Sequence, residues 1–380
     1  MSRKQFIVLF VVLLVLAGAG AWVKLSDDAD WNATDQRVGK PVLNGVTVAD
    51  VAEVKLTGAA GSSTLKRAAD GWVLAERADF PADVERIRDL LVKLVGLRAS
   101  QAEPLTDALR ARYGVAEPKA ADTAGAATVL ELRSKDGKAL ARLLLGQVIN
   151  KKVEQQTQQG QTVTRDVPSG RYLVGAESNM VVTVNEPLTQ ADPTPASWMT
   201  KEIMRAERPR QMVSTLSGHG RWGFQRDTDS ALWKWIAASD PLDQQKAQDV
   251  ANVLYSVNLI DVADPAKVDL AKPVAVKLNT FDGFTYDVQL GAKTDKDQYP
   301  FKFSVTAEYP RQRTPGKNES AEDKAKEDKA FEERLKSLDQ KLAMEKKYSG
   351  WTYLVSKTVA EPILNERAGF APPKKEPAKK

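Results

Sequence analysis

The residues that most often carry enzyme chemistry are scarce in this chain. Its 380 residues include one histidine, His219, and no cysteine. The lack of cysteine excludes disulfides, thiol catalysis, iron–sulfur ligation and cysteine-type zinc sites. One imidazole is too few for the usual histidine-rich metal site, and no serine-hydrolase motif surrounds it. His219 stands between two glycines, where an exposed turn residue is a more common role than a general base.

Carboxylates are the remaining candidates for catalysis. The chain has 50 acidic residues, enough for the paired carboxylates of a glycan hydrolase, but no spacing selects a pair. Glycine-rich phosphate loops, the nucleophile elbow and the zinc-protease motif are absent. Asp-Gly pairs also occur in ion-binding loops, but Asp136-Gly137 and Asp282-Gly283 each stand between two β-like runs and predict a turn. We therefore predict no enzyme activity, no catalytic residue, no metal and no cofactor.

The charge balance argues against a nucleic-acid partner. The chain has 55 basic and 50 acidic residues, a net charge of +5 and a pI near 9.0. Part of the excess lies in the C-terminal tail, and the rest of the chain lacks the clustered basic patch that binds phosphate backbones. A hydrophobic content of 42% is typical of globular proteins, and the length suits two domains.

The N-terminal segment has the pattern of a membrane-spanning helix. Arg3 and Lys4 precede an uncharged apolar run at 6–23, and about 17–25 such residues cross a bilayer. Basic residues before the run favour a cytoplasmic N-terminus. A cleaved signal peptide is the alternative, since small residues near the end of the run fit a cleavage site. We predict an anchor at 1–25, a stalk at 26–45, and a single-pass protein of the bacterial inner membrane with its bulk in the periplasm.

The rest of the chain repeats one order of predicted elements. In the first copy, three β-like runs precede a helix that begins after Pro81-Ala82-Asp83, and an Asp-Gly hairpin follows. In the second copy, the helix begins after Pro241-Leu242-Asp243 and the second Asp-Gly hairpin follows. Both hairpins end in leucine and glycine, at Leu145-Gly146 and Leu290-Gly291. This order predicts two copies of one structural module.

The predicted fold class is α+β. We expect a tandem duplication of a module of antiparallel strands with a packed helix, preceded by one N-terminal transmembrane helix. The predicted first module spans 46–190, the linker 191–209 and the second module 210–366, with a disordered tail at 367–380. A polar run after the first hairpin, QQTQQGQTV at 155–163, is predicted as a loop.

Several motifs resemble a known family. The run DGWVLAERADFPADVERIRDLLVKLVGLRA, the stretch YGVAEP and the hairpin TVLELRSKDGKALARLLLGQ are similar to family 4340 of the domains of unknown function (DUF4340). The second of these motifs contains Tyr113, Gly114, Val115 and Pro118. At the position of Val115 this family commonly has leucine. The resemblance runs from about residue 46 to 291. It implies an N-terminal anchor helix and an association with gliding-motility-type ABC transporter components, and it implies no catalytic residues.

Three tryptophans lie in matching predicted strands of the two copies: Trp72, Trp233 and Trp235. If exposed, they would suit stacking on a sugar or a peptide. If buried, they would pack a strand against a helix. Because both copies carry tryptophan in the matching strand, we favour core packing.

A long charged helix is predicted as an insertion at 318–347, since strong helix formers and i,i+4 Glu–Lys pairs fill it. Its short apolar stripe consists of Phe331, Leu335, Leu338 and Leu342. One interpretation is a solvated helix whose C-terminal half rests on its own domain. The other is a protruding arm whose stripe is a partner-docking surface.

The expected function is that of a non-enzymatic accessory or scaffold protein of an ABC-type transport complex of the envelope. Its expected partners are the membrane, through the N-terminal helix, and the permease or ATPase subunits of the transporter. An autonomous periplasmic protein that binds a peptide or a glycan is the alternative, and a hydrolase is a third.

Overall fold

The computed structural model describes residues 37–118, 126–156, 161–176, 178–215, 222–316 and 319–372. The chain divides into two compact units, Met1–Met199 and Thr200–Lys380. Each unit combines one antiparallel sheet with helices, so the α+β class is confirmed. The predicted anchor at 1–25 and His219 lie outside the described residues. Within the described ranges, no helix has the length and apolar content needed to cross a membrane.

The sheet of the first unit has nine described strands. They are β1 (Glu53–Gly58), β2 (Gly61–Ala68), β3 (Gly71–Leu74), β4 (Phe80–Pro81), β5 (Gln101–Pro104), β6 (Thr128–Arg133), β7 (Ala139–Gln156), β8 (Thr162–Gly175) and β9 (Met180–Val184). Their order across the sheet is β4-β3-β2-β1-β6-β7-β8-β9-β5. Alternation buries one side of a strand: Val54 and Leu56 of β1 are fully buried, whereas Lys55 between them is half-buried.

The described residues of the first unit contain two α-helices, α1 (Val84–Gly96) and α2 (Asp107–Arg112). Asp83 caps α1 by accepting a 3.0 Å hydrogen bond from the Arg86 backbone N–H, as the Pro-Ala-Asp signal predicts. One face of α1 is buried and consists of Ile87, Leu90, Leu91 and Leu94. Val84, which the periodicity places on the inner face, is instead 44% exposed because it starts the first turn.

The sheet of the second unit has eight described strands. They are β10 (Pro209–Thr215), β11 (Trp222–Gln225), β12 (Lys234–Trp235), β13 (Leu259–Val262), β14 (Val274–Thr280), β15 (Phe284–Leu290), β16 (Gln298–Ala307) and β17 (Tyr353–Ser356). Their order is β12-β11-β10-β14-β15-β16-β17-β13. The helices of this unit are α3 (Gln244–Asn252), α4 (Ala321–Tyr348) and α5 (Lys357–Leu364).

The two sheets have the same strand order once the edge strand β4 is set aside. The Asp-Gly hairpins occupy equivalent places, and Gly137 and Gly283 have φ of 77° and 85°, which glycine adopts without strain. Asp243 caps α3 as Asp83 caps α1. Among the strands that the sequence patterns missed are β5 and β13, which pair with the last strands β9 and β17.

The glycine after the last leucine of each hairpin is required for the same reason in both units. A Cβ on Gly146 would lie 2.4 Å from the carbonyl oxygen of Tyr113, and a Cβ on Gly291 would lie 2.2 Å from that of Asp269. Another chain segment therefore crosses each hairpin so closely that a Cβ would clash with its backbone. Only glycine fits at these two points.

The units differ after these hairpins. In the first unit, β7 and β8 continue as a ladder to Gln156 and Thr162, so both ends of the predicted loop at 155–163 are strand. Another difference follows the last strand. Helix α5 directly follows β17, whereas the described residues 185–194 after β9 contain no helix, and Leu188 after Pro187 has a φ of 50°.

Candidate functional site

Helix α4 is the insertion predicted at 318–347. Its N-terminus is capped by the Ser320 hydroxyl, which accepts a 3.1 Å hydrogen bond from the Asp323 backbone N–H. All members of the predicted docking stripe are half-buried; they are Phe331, Leu335, Leu338 and Leu342. Each side chain therefore keeps part of its surface in solvent, and the docking role stays a prediction.

The turn between β14 and β15 holds the middle of α4. The carboxylate of Asp282 accepts 2.7 Å hydrogen bonds from Arg334 of α4 and from Arg208. Its side chain is only 18% exposed. A carboxylate between two guanidinium groups is a charge-assisted contact, which is stronger than a neutral hydrogen bond.

A second polar contact lies nearer the C-terminus of α4. Asp339 accepts hydrogen bonds from the Tyr309 hydroxyl at 2.7 Å and from Arg311 at 2.8 Å. The bond from Tyr309, followed by the bonds from Arg311, lowers the pKa of Asp339. The carboxylate is thus held in its charged form beside residues that directly follow β16.

The most buried charged residue of α4 is Glu345, whose side chain has no exposed surface. It accepts hydrogen bonds from the Arg205 backbone N–H at 2.8 Å and from the Tyr286 hydroxyl at 2.9 Å. The Lys341 ammonium lies 3.9 Å away. Burial raises the pKa of Glu345, and burial also raises the pKa of Tyr286.

Sequence reasoning missed Glu345, although a signal was present. Glu345 stands three residues after Leu342, where the apolar stripe would next continue. A charged residue at an inward position of a helix marks a buried contact, and here that contact fixes the end of α4 to β15.

A cleft of about 200 Å³ opens beside this carboxylate. Lys201, Arg205 and Lys341 contribute positive charge to its lining, and Glu202, Glu207 and Glu345 contribute negative charge. Lys341 donates 2.7 Å and 2.6 Å hydrogen bonds to the Glu207 carboxylate and the Arg205 carbonyl. Ligand pockets usually have volumes of about 300–1,000 Å³. The cleft is smaller, and its balanced charges suit a structural contact that holds α4 better than a ligand site. We call the hydrogen bonds of Glu345 with Arg205 and Tyr286 the latch.

The three tryptophans lie in the interior of their units. Trp72 of β3 is 8% exposed, Trp233 is 4% exposed and Trp235 of β12 is 9% exposed. The Trp233 indole N–H donates a 3.0 Å hydrogen bond to Gln248 of α3. Trp235 packs edge-on against Phe370, with 6.2 Å between ring centroids. Rings in these positions offer little surface for stacking on a ligand.

The clearest exposed feature of the first unit is the extension of β7 and β8 beyond the sheet. We call it the ribbon and define it as residues 150–156 and 162–168. Strand β6 pairs with β7 only as far as Leu145, and β9 pairs with β8 only from Arg171. The ribbon is therefore a two-stranded ladder, and two strands alone are marginally stable in water.

Three valines of the ribbon are exposed to solvent. Val153 is 40% exposed, Val163 is 37% exposed and Val167 is 43% exposed. The sequence contained a signal for this strand, because TVTRDV at 162–167 is rich in β-branched residues. The polar glutamines before it favoured a loop.

Comparison with protein families decides the identity of the fold. The DUF4340 family, described as a domain of unknown function, matches residues 72–273, more than half of the chain. The chain belongs to this family. The resemblance noted from the sequence is thereby confirmed. No curated protein and no solved structure matches the chain.

The DUF4340 match spans Trp72, the ribbon and α3, but it ends before β14 and α4. The stretch that resembles the family is packed in the structure. Tyr113 stacks on Tyr172 with ring centroids 4.0 Å apart, Gly114 has a φ of 62°, and Val115 is fully buried. These residues build the crossing over Gly146, so they maintain the fold of the DUF4340 module.

Metal binding has no structural support in the described part of this DUF4340 protein, because no cluster of three or more potential ligands occurs there. The candidate surfaces are therefore the ribbon, the half-buried stripe of α4 and the latch at Glu345.

Proposed function

We propose that this DUF4340 protein is a non-enzymatic accessory or scaffold protein of an ABC-type transport complex in the bacterial envelope. Residues 1–25 anchor it in the inner membrane, and its two α+β units work in the periplasm. Its mechanism is binding: the sheets are rigid supports that hold interaction surfaces at a fixed place outside the membrane.

The ribbon is the observation that carries this proposal. Its ladder extends the sheet from the pair of Asn150 with Pro168 to the pair of Gln156 with Thr162. Valine side chains along this ladder are exposed. Exposed apolar surface of this kind marks interaction sites on soluble domains. A projecting two-stranded element also gains order when a partner covers it.

Three further observations support the proposal. The uncharged run at 6–23 has the length and flanking charges of an anchor. The shared strand order of the two sheets supports a tandem duplication of one module. Membership of the DUF4340 family supports the transporter association that the resemblance implies.

The alternative of a peptide- or glycan-binding protein has less support. Stacking on sugars requires exposed aromatic rings. Among the described residues, the large hydrophobic side chains with the most exposure are aliphatic, apart from Tyr255 at 48% and Met344 at 43%. This composition fits a protein surface better than a sugar.

Affinity purification of the full-length protein from mildly cross-linked native membranes tests the proposal. Permease or ATPase subunits of one transporter should be recovered in a stoichiometric ratio and identified by mass spectrometry. A tagged protein of similar abundance with an unrelated single-pass anchor serves as the control. Recovery of the protein alone would contradict the accessory role and lead to a ligand screen.

Membrane attachment has a separate test. Carbonate extraction should leave the protein in the membrane fraction, and protease added to spheroplasts should digest both units. N-terminal sequencing of the mature protein distinguishes an uncleaved anchor from a removed signal peptide.

A further inference from the structure

The side chains of the ribbon divide into two faces, because successive residues of a strand point to opposite sides. Directly paired residues share a face. One face carries the pairs Lys151 with Val167, Val153 with Arg165, and Gln155 with Val163. We call these six residues the valine face.

The opposite face of the ribbon is polar. It carries the pairs Lys152 with Asp166, Glu154 with Thr164, and Gln156 with Thr162. One lysine and two carboxylates give it a net negative charge. The valine face has two cations and no carboxylate, so the ribbon is amphipathic and its apolar face is cationic.

Charge and apolar surface alternate across the valine face. Lys151 is opposite Val167, and Arg165 is opposite Val153. In the part of the chain that the structure describes, neither Lys151 nor Arg165 forms an ion pair with another residue. Their charges are therefore available to carboxylates of another molecule.

The chemistry of the valine face disfavours two other occupants. Two copies packed through this face would bring four cations and no carboxylate into one interface, and like charges brought together in an interface are destabilising. Interfacial membrane binding relies on tryptophan, phenylalanine and leucine. The sequences NKKVEQQ and TVTRDVP of the ribbon contain none of these.

We infer that the valine face binds a segment of a partner protein in which aliphatic side chains alternate with carboxylates. The aliphatic groups cover the three valines, and the carboxylates pair with Lys151 and Arg165. This inference rests on the proposed function and names the chemistry of the partner surface.

Site-specific photo-cross-linking tests the contact. A photo-reactive amino acid replaces Val153 on the valine face, or Thr164 on the opposite face, in the full-length protein in native membranes. Position 153 should cross-link to one partner peptide with alternating aliphatic and acidic residues, and position 164 should give about tenfold less product. Equal products, a second copy of the chain, a lipid adduct or no product at position 153 would each overturn the inference.

Neighbouring lysines provide a matched charge test. Lys151→Glu and Lys152→Glu make the same change at adjacent residues on opposite faces. Lys151→Glu should reduce the cross-linked product about tenfold, and Lys152→Glu should change it less than about twofold. Lysine in place of the facing carboxylate of the partner should restore the product with Lys151→Glu. Equal losses in the two variants would contradict a face-specific contact, and melting curves of both confirm that the unit is folded.

These experiments separate the two proposals. If the wild-type protein recovers transporter subunits and Lys151→Glu recovers them equally well, the ribbon inference is wrong and the accessory role stands. If the wild-type protein recovers no transporter subunit, the accessory role is wrong. The peptide cross-linked at position 153 then decides the ribbon inference alone.

Discussion

Helix α4 and the ribbon are additions to two sheets with the same strand order, and they differ in how they are held. Arg334, Asp339 and Glu345 connect α4 to its own unit. Among the described residues, the ribbon is held only by its own ladder, and Val153 and Val167 face solvent. The apolar stripe of α4 is half-buried and stays a candidate docking surface, whereas the valines of the ribbon are exposed in a segment with few apolar residues.

Serine substitutions should separate the two elements most strongly. A triple variant of α4 carries Leu335→Ser, Leu338→Ser and Leu342→Ser. It should lower the free energy of unfolding by about 3–4 kcal/mol, because each change removes a half-buried leucine. The same change at Val153, Val163 and Val167 should cost less than about 1 kcal/mol in total. Urea denaturation of the full-length protein measures both.

A nearly unchanged midpoint for the leucine variant, with loss of partner association, would reverse this comparison. The stripe of α4 would then be the docking surface, and the ribbon would be an exposed structural element.

Alanine substitution of the glycine at the end of either hairpin should destabilise the fold by a similar amount. Gly146→Ala at the base of the ribbon and Gly291→Ala in the second unit should each cost about 2–3 kcal/mol, since the new Cβ meets a backbone carbonyl oxygen. Gly137→Ala is the control and should cost about 1 kcal/mol, because only its positive φ is strained. Thermal unfolding of single variants compares them. A cost at Gly146 no larger than at Gly137 would show that the crossing segment moves aside.

The sequence predicted the elements whose signals are local. Asp83 and Asp243 cap helices, and Gly137 and Gly283 turn hairpins, because each acts within a few residues of chain. It did not predict β5, whose sequence QAEP lacks alternation and is strand only because β9 pairs with it. Pairing partners distant in sequence decide such strands.

The candidate surfaces were predicted less well than the fold. The ribbon is a strand pair because the hairpin geometry continues from a buried base, not because its glutamines prefer strands. Burial of Glu345 depends on Tyr286, which is far away in the sequence. The stripe Phe331–Leu342 was visible, but its degree of burial depends on where α4 lies on its unit.

The latch at Glu345 should produce a specific pH dependence. Burial raises its pKa above the ordinary 4.5, so the folded state holds this proton more tightly than the unfolded state. The contribution of this group to stability is therefore greatest below the ordinary pKa and falls as pH rises through the raised pKa. Glu345→Gln should flatten the profile of unfolding free energy against pH over that interval. An unchanged profile would place the titration elsewhere.

Glu345→Leu is the companion variant. It leaves the Arg205 backbone N–H and the Tyr286 hydroxyl without their shared acceptor, and it should cost about 1–3 kcal/mol at neutral pH. Ribbon charges offer the contrast, because Lys151→Glu, opposite Val167, should change stability by less than about 0.5 kcal/mol.

Hydrogen exchange should distinguish the ribbon from the buried base of its own strands. Backbone amides at 150–156 and 162–167 should exchange about 100-fold faster than those of Leu143, Leu144 and Leu145, which are buried in the same strand β7. Mass spectrometry of peptic peptides measures this ratio. Slow exchange in the ribbon of the isolated protein would indicate a contact that already covers it.

The strand order has a consequence for the biogenesis of the chain. In the first unit, β5 finds its neighbour β9 once residue 184 has left the ribosome, before any strand of the second unit exists. In the second unit, β13 finds β17 only after α4 has been synthesised. Open strand edges are templates for aggregation. The second unit is therefore the later-folding half, and the edge of its strand β13 stays open while α4 is synthesised.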